Sequence, residues 1–178
     1  MKIAPEILDG CLKNDRMAQE ELYKSFYPFL MRTILRYATN QFDAEDILNK
    51  AMLKAFKKID TFQGTPDNFG GWLRRIVVHE SIDFIRSRKS FNDKHSTMAD
   101  LPEENSTHNL IEEDPSHILQ LIDALPYQER AVFNLSIIEG YTHKEISKML
   151  SISVANSKWL LHCGRKKMKN WIIQKALA

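Results

Sequence analysis

Four basic side chains near the carboxyl end of the chain are spaced so that they share one face of a helix. They follow one another at steps of four, three and four residues, which match successive turns of an α-helix. The four are Lys158, His162, Arg165 and Lys169. A helix face of this composition attracts polyanions such as the phosphates of nucleic acid. A solvated surface of a helical bundle is the alternative interpretation, because basic residues in a last turn also complement the helix dipole.

Positive charge is concentrated in this part of a chain that is nearly neutral as a whole. The 178 residues carry a formal net charge of +2. Residues 1–87 have a net charge of +1, residues 88–117 of −4 and residues 118–178 of +5. This distribution favours a polyanionic partner for the last third of the chain, whatever the total charge.

The remaining reactive side chains do not form a pattern that is typical of an enzyme. The sequence contains no glycine-rich phosphate loop, no HExxH zinc motif and no nucleophile elbow. His79, His143 and His162 are scattered, and Cys163 has no identifiable general base. Cys11 and Cys163 are the only cysteines, which are too few for a zinc site. We therefore expect no catalytic residue, no metal and no cofactor, and an α-helical enzyme is the least favoured class.

The hydropathy of the chain does not predict a membrane protein. No apolar run approaches the ~20 residues that a membrane span needs. The amino-terminal residues lack the continuous apolar core of a signal peptide. Two distant cysteines imply no disulfide framework, so the sequence predicts a cytoplasmic protein without direct membrane insertion.

The spacing of apolar residues predicts an all-α protein, because they recur at steps of three and four almost throughout. A first helical stripe consists of Leu22, Phe26, Phe29, Leu30, Ile34 and Tyr37, and Pro28 marks a kink or a restart within it. Asp43 is the predicted N-cap of a second helix. The expected inner face of that helix consists of Ile47, Ala51, Ala55 and Ile59.

A third helix is expected after the glycine- and proline-containing stretch FQGTPDNFGG. It extends from about Phe69 to Arg86, with Trp72, Ile76 and Phe84 on its apolar side. The next segment, 90–116, is polar and acidic and has two prolines, so it predicts a flexible linker. We therefore expect two small helical domains, 1–89 and 117–178, joined by this linker.

Four short helices are expected after the linker, over about 117–124, 127–139, 142–150 and 154–175. Thr142 with Glu145 three residues later forms a capping-box pattern. Leu161, Met168 and Ile172 are the expected core side of the last helix. Two short helices with a tight turn between them predict a helix-turn-helix, over 142–162, whose second helix is sized for a DNA major groove.

In such a helix-turn-helix, the side chains near the start of the second helix are placed to reach base edges, and the later ones to reach phosphates. The candidates for base contacts are Asn156, Lys158 and His162. The candidates for phosphate contacts are Arg165, Lys166, Lys167 and Lys169.

Several blocks of the sequence together resemble bacterial sigma factors. The carboxyl-terminal block is similar to their region 4, in the stretch ALPYQERAVFNLSIIEGYTHKEISKMLSISVANSKWLLHCGRKKM. Residues 15–89 resemble region 2, in the segments DAEDILNKAMLKAFKKIDTF and FGGWLRRIVVHESIDFIRSRK. With only a short linker between the two blocks, the layout resembles the extracytoplasmic-function (ECF) sigma factors. The chain departs from the family pattern at Asn49, Met52 and His79 and in the run from Asn156 to Trp159, so the promoter sequence does not carry over.

The resemblance implies a protein that binds core RNA polymerase and recognises the −10 and −35 elements of promoters to initiate transcription. The residues implied for polymerase binding are Ala44, Glu45, Asp46, Asn49, Lys50 and Leu53. Those implied for the −10 element, as duplex and as melted strand, are Phe62, Gln63, Asn68, Phe69, Arg74, Arg75, His79, Arg86, Arg88 and Lys89. Those implied for the −35 duplex are Thr142, Ala155, Asn156, Lys158, Trp159, His162, Arg165, Lys166 and Lys169. An anti-sigma factor, membrane-bound or soluble, is a further partner that the resemblance raises.

Two points stay open at the level of sequence. A helix-turn-helix regulator that binds DNA alone is the second hypothesis, although it has no need of the acidic helix followed by an arginine-rich helix in the first half. Trp159 has three interpretations, which are packing against a partner or the linker, burial in the core, and contact with a thymine methyl in the groove.

Trp72 is expected in the core, and Phe62 or Phe69 is expected to stack on a base.

Overall fold

The computed structural model describes residues 1–38, 40–95 and 115–176, and every regular element in these ranges is helical. The chain divides into two compact units, Met1–Phe91 and Asn92–Ala178. The predicted all-α fold with two small helical domains is confirmed. The predicted linker, 90–116, lies mostly outside the described residues.

The first unit contains four α-helices. They are α1 (Pro5–Leu12), α2 (Arg16–Ile34), α3 (Gln41–Lys58) and α4 (Phe69–His95), with 3-10 turns at Ile59–Thr61 and Pro66–Asn68 between the last two. Helix α2 packs against α1 and α3. The predicted apolar face of α3 is buried, and that of α2 is buried except for Phe29, which is partly buried. The largest fully buried side chains of the unit include Leu22, Phe26, Leu30, Ile34, Ile47 and Leu48.

The helices of the first unit differ from the sequence-based prediction in three ways, at the start of α3, at Pro28 within α2 and at the end of α4. Asn40 is the N-cap of α3, and its side-chain oxygen accepts a hydrogen bond of 2.9 Å from the backbone N–H of Asp43. Asp43 therefore lies within the first turn, where a carboxylate complements the helix dipole. Helix α2 runs through Pro28 without a restart. Helix α4 continues past the predicted end at Arg86, to His95.

The inner face of α4 is rotated from the predicted one. Phe69, Leu73 and Val77 are buried, whereas Trp72, Ile76 and Phe84 are partly buried and pack against the edge of the core. The periodicity indicated an apolar side correctly, but several apolar residues on adjacent positions left its centre ambiguous.

The second unit contains α5 (Pro115–Asp123), α6 (Tyr127–Phe133), α7 (His143–Leu150) and α8 (Val154–Ala176). Helix α6 continues as a π-helical segment, Asn134–Ile138. Gly140 follows it with a φ of 77°, a left-handed conformation that glycine adopts without strain. The predicted capping box starts α7, because the Thr142 N–H donates to Glu145 Oε2 at 2.8 Å and the Glu145 N–H donates to Thr142 Oγ1 at 3.3 Å.

Helix α8 is held against α6 and α7 by an apolar face and one ion pair. The buried members of that face are Leu160, Leu161 and Met168. Ile172, predicted as core, is half exposed and lines a surface groove that also includes Phe133 and Ile137. The ion pair joins Lys167 Nζ to Glu129 Oε1 of α6 at 2.8 Å.

Candidate functional site

The turn between α7 and α8 is fixed by local hydrogen bonds, and it determines how α8 is presented. Ser151 ends α7 in the left-handed conformation with a φ of 53°. The Ser147 hydroxyl donates to the carbonyl of Ile152 at 2.6 Å, and the Ser153 hydroxyl accepts from the Asn156 N–H at 3.0 Å. The two helices and their short turn form the predicted helix-turn-helix.

A second contact ties the two helices of this motif directly. His143 Nδ1, in the first turn of α7, lies 2.9 Å from Ser157 Oγ in α8. Ser157 is fully buried, so its hydroxyl needs a partner within the protein. The hydrogen bond fixes the approach of α8 to α7, with the opposite face of α8 turned to solvent.

The solvent face of α8 is strongly cationic. Its exposed basic side chains are Lys158, His162, Arg165, Lys166 and Lys169. None of these forms an ion pair with another residue in the described ranges. Lys167, predicted as a phosphate ligand, is held by Glu129 instead, because it lies on the side of α8 that faces α6.

Aromatic and small side chains border the cationic face. The side chain of Trp159 is 60% exposed, so the interpretation as a core residue is wrong. Ala155 is exposed and Asn156 is half-buried. Thr142 is exposed, but the capping box already occupies its hydroxyl. This hydroxyl accepts from the backbone N–H of Glu145 and donates to Glu145 Oε2 at 2.7 Å.

Helix α3 presents a different kind of surface. Its residues at 42, 46, 49 and 53 share one face at helical spacing, and we call them the α3 stripe. Phe42 and Leu53 are 85% and 60% exposed, and Asp46 and Asn49 are exposed between them. Glu45 and Lys50 are exposed beside the stripe. Ala44 is 0% exposed and packs in the core on the opposite side of α3, so its side chain is not part of this surface.

The polar groups of the α3 stripe are paired within the first unit. Lys50 Nζ lies 2.6 Å from Asp46 Oδ2, and Gln41 Nε2 donates to Glu45 Oε1 at 3.0 Å. The Tyr23 hydroxyl donates to Asn49 Oδ1 at 3.2 Å. Partial burial raises the pKa of Tyr23, so its hydroxyl stays a donor over the physiological range.

Phe42 is a candidate that the sequence analysis missed. It stands one turn before Asp46 in the first turn of α3, and such a large apolar side chain is rarely left exposed without a partner. The signal was present in the spacing, because Phe42, Asn49 and Leu53 fall on one face. The misplaced N-cap at Asp43 had excluded Phe42 from the helix.

The loop between α3 and α4 is built around Phe62. Its ring packs edge-on against Phe69, with centroids 5.1 Å apart, and against Trp72 at 5.5 Å. A Cβ on Gly64 would lie 2.6 Å from the Phe62 ring, so the loop backbone passes over this ring where only glycine fits. Phe69 is fully buried, so its predicted stacking on a base is wrong. Gln63 and Asn68 are exposed polar side chains of this loop.

The basic residues of α4 follow this loop along the helix. Arg75 and Arg86 are exposed, and Arg74 and His79 are half-buried. His79 Nδ1 lies 2.7 Å from the carbonyl oxygen of Arg75. Arg88 and Lys89 belong to the backbone of α4, but their side chains lie outside the described part of the chain.

No described helix is long and apolar enough to cross a membrane. No group of three or more His, Cys, Asp or Glu side chains in the parts of the chain that the structure describes is placed to hold a metal ion.

Comparison with known proteins matches both units to one family. The model of Sigma-70 region 2 matches residues 22–91, and that of Sigma-70, region 4 matches residues 117–168. The chain is 26% identical over 163 residues to the ECF RNA polymerase sigma factor SigE of Mycolicibacterium smegmatis, covering 86% of this chain and 61% of that protein. It is 27% identical over 169 residues to SigW, an ECF RNA polymerase sigma factor of Bacillus subtilis, covering 88% and 90%.

A solved structure is also similar to this chain. It is that of the sigma factor RpoE in complex with the anti-sigma factor NepR from Bartonella quintana. The two sequences are 16% identical, and the superposition has a TM-score of 0.49 and covers 86% of this chain and 95% of that one.

Proposed function

The chain belongs to the ECF group of the sigma-70 family, and from this premise we propose that it binds core RNA polymerase and directs it to promoters. Sigma factors are initiation factors and not enzymes. The partners are core polymerase and promoter DNA, and the place of action is the cytoplasm. The two domains that carry these functions are residues 1–89 and 117–178. Binding of an anti-sigma factor remains a prediction from the family resemblance.

The α3 stripe is the proposed docking surface for core polymerase. It has two exposed apolar side chains, Phe42 and Leu53, at its ends and a paired polar centre at Asp46 and Asn49. An exposed amphipathic helix edge of this kind suits a groove or helix of a protein partner. Glu45 and Lys50 flank the stripe and would set the register of docking.

The loop before α4 and the basic face of α4 are the proposed −10 surface. Gln63 and Asn68 provide donors and acceptors for the edge of an unstacked base. Arg74, Arg75 and Arg86, with His79, Arg88 and Lys89, suit the adjacent backbone phosphates. Phe62 contributes to this surface indirectly, because its ring packs under the loop backbone at Gly64 and supports it.

Helix α8 is the proposed −35 reader. Its start, with Ala155, Asn156, Lys158 and Trp159, is held by the turn and by the His143–Ser157 hydrogen bond. A helix presented in this way suits a major groove, which admits one α-helix. His162, Arg165, Lys166 and Lys169 continue the same face toward the phosphates. Thr142 lies at the start of α7, where its capping box fixes the first turn of the motif.

The observation that carries the proposal is the coexistence of these surfaces in one chain. The cationic face of α8 alone fits a regulator that binds DNA by itself. That second function leaves the exposed α3 stripe unexplained, since its apolar ends and paired polar centre favour a protein partner and not DNA.

Transcription in vitro tests the proposal. Core polymerase is incubated with a promoter library in the presence or absence of the chain, and single-round transcripts are sequenced. We expect transcripts that appear only when the chain is present. Their templates should share two sequence elements, at the distance that separates a −35 element from a −10 element. A chain that binds DNA but leaves the transcript set of core polymerase unchanged would favour the regulator.

A further inference from the structure

The first residues of the chain lie on the loop that we assign to −10 recognition. We call residues 1–3 the strap and residues 62–68 the −10 loop. The backbone N–H of Ile3 donates to the carbonyl oxygen of Pro66 at 3.3 Å. Lys2 Nζ lies 2.9 Å from Asp67 Oδ1. The strap precedes residue 22, where the match to sigma region 2 begins.

Gly70, in the first turn of α4, marks where the strap crosses the end of the loop. A Cβ on Gly70 would lie 2.7 Å from the backbone oxygen of Met1 and 3.3 Å from its Cβ. Real Cβ atoms do not approach a backbone oxygen so closely, so glycine at this position permits the crossing. A Cβ on the next residue, Gly71, would meet nothing within 4 Å.

The strap is anchored by burial more than by charge. Ile3 is 5% exposed and belongs to the core of the first unit. Both partners of the Lys2–Asp67 pair are largely exposed, and such pairs contribute little. Helix α1 follows the strap, buries Cys11, and packs against α2 and against the Ile59–Thr61 turn that leads into the loop. The amino-terminal segment therefore contacts the −10 loop near both of its ends.

The centre of the −10 loop rests on the Phe62 ring at Gly64 and has few backbone hydrogen bonds of its own. Its backbone hydrogen bonds lie at the two 3-10 turns, from Phe62 to Ile59 and from Asn68 to Thr65. Gln63, Gly64 and Thr65 are exposed residues. A loop that is ordered before binding loses less conformational entropy when it captures a base, so external support for this loop strengthens binding.

We propose that the strap is a positioning element for −10 recognition, which holds the −10 loop in the conformation that presents Gln63 and Asn68. The inference rests on the proposed function, because it takes the loop to be the −10 surface. The strap itself touches no base. It acts through Pro66, Asp67 and the first turn of α4.

Two neighbouring glycines provide a matched test in the full chain bound to core polymerase. The probe is a single-stranded oligonucleotide carrying the non-template −10 element of a promoter selected from the library, with a scrambled oligonucleotide as reference. We expect Gly70→Ala to weaken binding of the probe about tenfold, because the new methyl displaces the strap. Gly71→Ala, in open space in the same helical turn, is expected to bind the probe as the unmodified chain does.

Ile3→Asp displaces the strap by a second route, and affinity for core polymerase separates this displacement from a general loss of stability. This change places a carboxylate where the strap enters the core, so we expect it to release the strap and weaken −10 binding to a similar extent. The double variant Ile3→Asp, Gly70→Ala should lose no more than either single variant, because both act on the same contact. Affinity for core polymerase and for duplex −35 DNA should stay unchanged in all of them.

The possible outcomes distinguish failure of the strap proposal from failure of the proposed function. If the unmodified holoenzyme binds the −10 probe no better than the scrambled one, the assignment of the loop fails and the strap proposal fails with it. If it does discriminate, equal −10 binding by the Gly70→Ala and Gly71→Ala variants overturns the strap alone. Additive losses in the double variant, or a parallel loss of core affinity, would overturn it as well.

Discussion

The α3 stripe and the cationic face of α8 are both exposed helix surfaces, but their charges are organised in opposite ways. On α3 the carboxylate of Asp46 is paired with Lys50 one turn away, and the ends of the stripe are the apolar Phe42 and Leu53. On α8 the exposed cations have no ionic partner among the described residues. Lys167 of the same helix is paired with Glu129, so it faces α6 and holds α8 against it.

This contrast fits the two different partners that we propose for these surfaces. Unpaired cations on one helix face release counterions when they meet phosphates, so the affinity of α8 for DNA should depend steeply on salt. A stripe with internally paired charges and apolar ends gains most from burying those ends in a protein groove, which salt affects little.

Removing the cations of α8 should have the largest effect. Replacing Lys158, Arg165, Lys166 and Lys169 by glutamine should lower the magnitude of the log–log salt slope of promoter binding by about 3.6, if each contacts one phosphate. In the unmodified holoenzyme, those four contacts correspond to a roughly hundredfold loss of affinity between 50 and 200 mM salt. The control replaces Lys13 and Lys24, which are paired with Asp9 and Glu20, and should leave the slope unchanged.

Removing the apolar ends of the α3 stripe should have the next largest effect. We expect Phe42→Ser with Leu53→Ser to weaken core polymerase binding by about 2 kcal/mol, roughly thirtyfold, as for exposed side chains that become central in an interface. Melting should change little, because both side chains are exposed. The half-exposed Leu35, at the end of α2, provides the control Leu35→Ser. Equal core affinity for the double variant and this control would remove the stripe from the interface.

Reversing the charge of Asp46 should have a smaller effect, because its carboxylate is exposed and already paired with Lys50. We expect Asp46→Lys to weaken core binding about fivefold at low salt and less at high salt, since exposed charges act mainly on encounter and register. Circular dichroism should show an unchanged fold. Binding of the folded variant with unaltered affinity at low salt would contradict a role for this carboxylate in docking.

Trp159 tests whether the rim of the α8 face contributes to sequence preference. Because Trp159 is exposed, Trp159→Ser should change the free energy of unfolding by no more than about 0.5 kcal/mol. Contact with a thymine methyl predicts an altered base preference in the −35 element, of about 1 kcal/mol at one position, measured by sequencing transcripts from the library. An unchanged preference would leave packing against a partner protein as the remaining interpretation, to be tested with a co-purified anti-sigma factor.

Two helical glycines, one in each unit, predict small effects of opposite sign. A Cβ on Gly164 would make ordinary contacts of 3.6–3.8 Å with Leu125, Glu129 and Phe133. Gly164→Ala should therefore stabilise the second unit by about 0.5–1 kcal/mol, through the lower flexibility of the unfolded chain. A Cβ on Gly10 would lie 2.5 Å from the Cβ of Ala18, so Gly10→Ala should destabilise the first unit. Thermal melting measures both, and melting shifts of the same sign would contradict this description of the packing.

Features that depend on neighbouring residues could be predicted from the sequence. The capping box of Thr142 and Glu145 and the inner face of α3 follow from spacing alone, and the structure contains both. The two helical domains also follow from local periodicity. Asn40 and Asp43 are both good N-cap residues, so the choice between them was not determined by local sequence.

Features that depend on distant residues could not be predicted. The partner of Lys167 is Glu129, 38 positions earlier, and only the packing of α6 against α8 brings them together. Phe69 is buried because the core of the first unit closes over it, although its position beside a loop suggested a base contact. The contact of Ile3 with Pro66 likewise joins segments far apart in the sequence.

Photo-crosslinking of one initiation complex tests the division between the two surfaces most directly. Phe42 and Trp159 are exposed aromatic residues, so a photoreactive phenylalanine analogue at either position is a conservative change. In a complex of the chain, core polymerase and labelled promoter DNA, we predict that position 42 crosslinks to a polymerase subunit and position 159 to DNA near the −35 element. Crosslinking of position 42 to DNA, or of position 159 only to polymerase, would contradict the assignment.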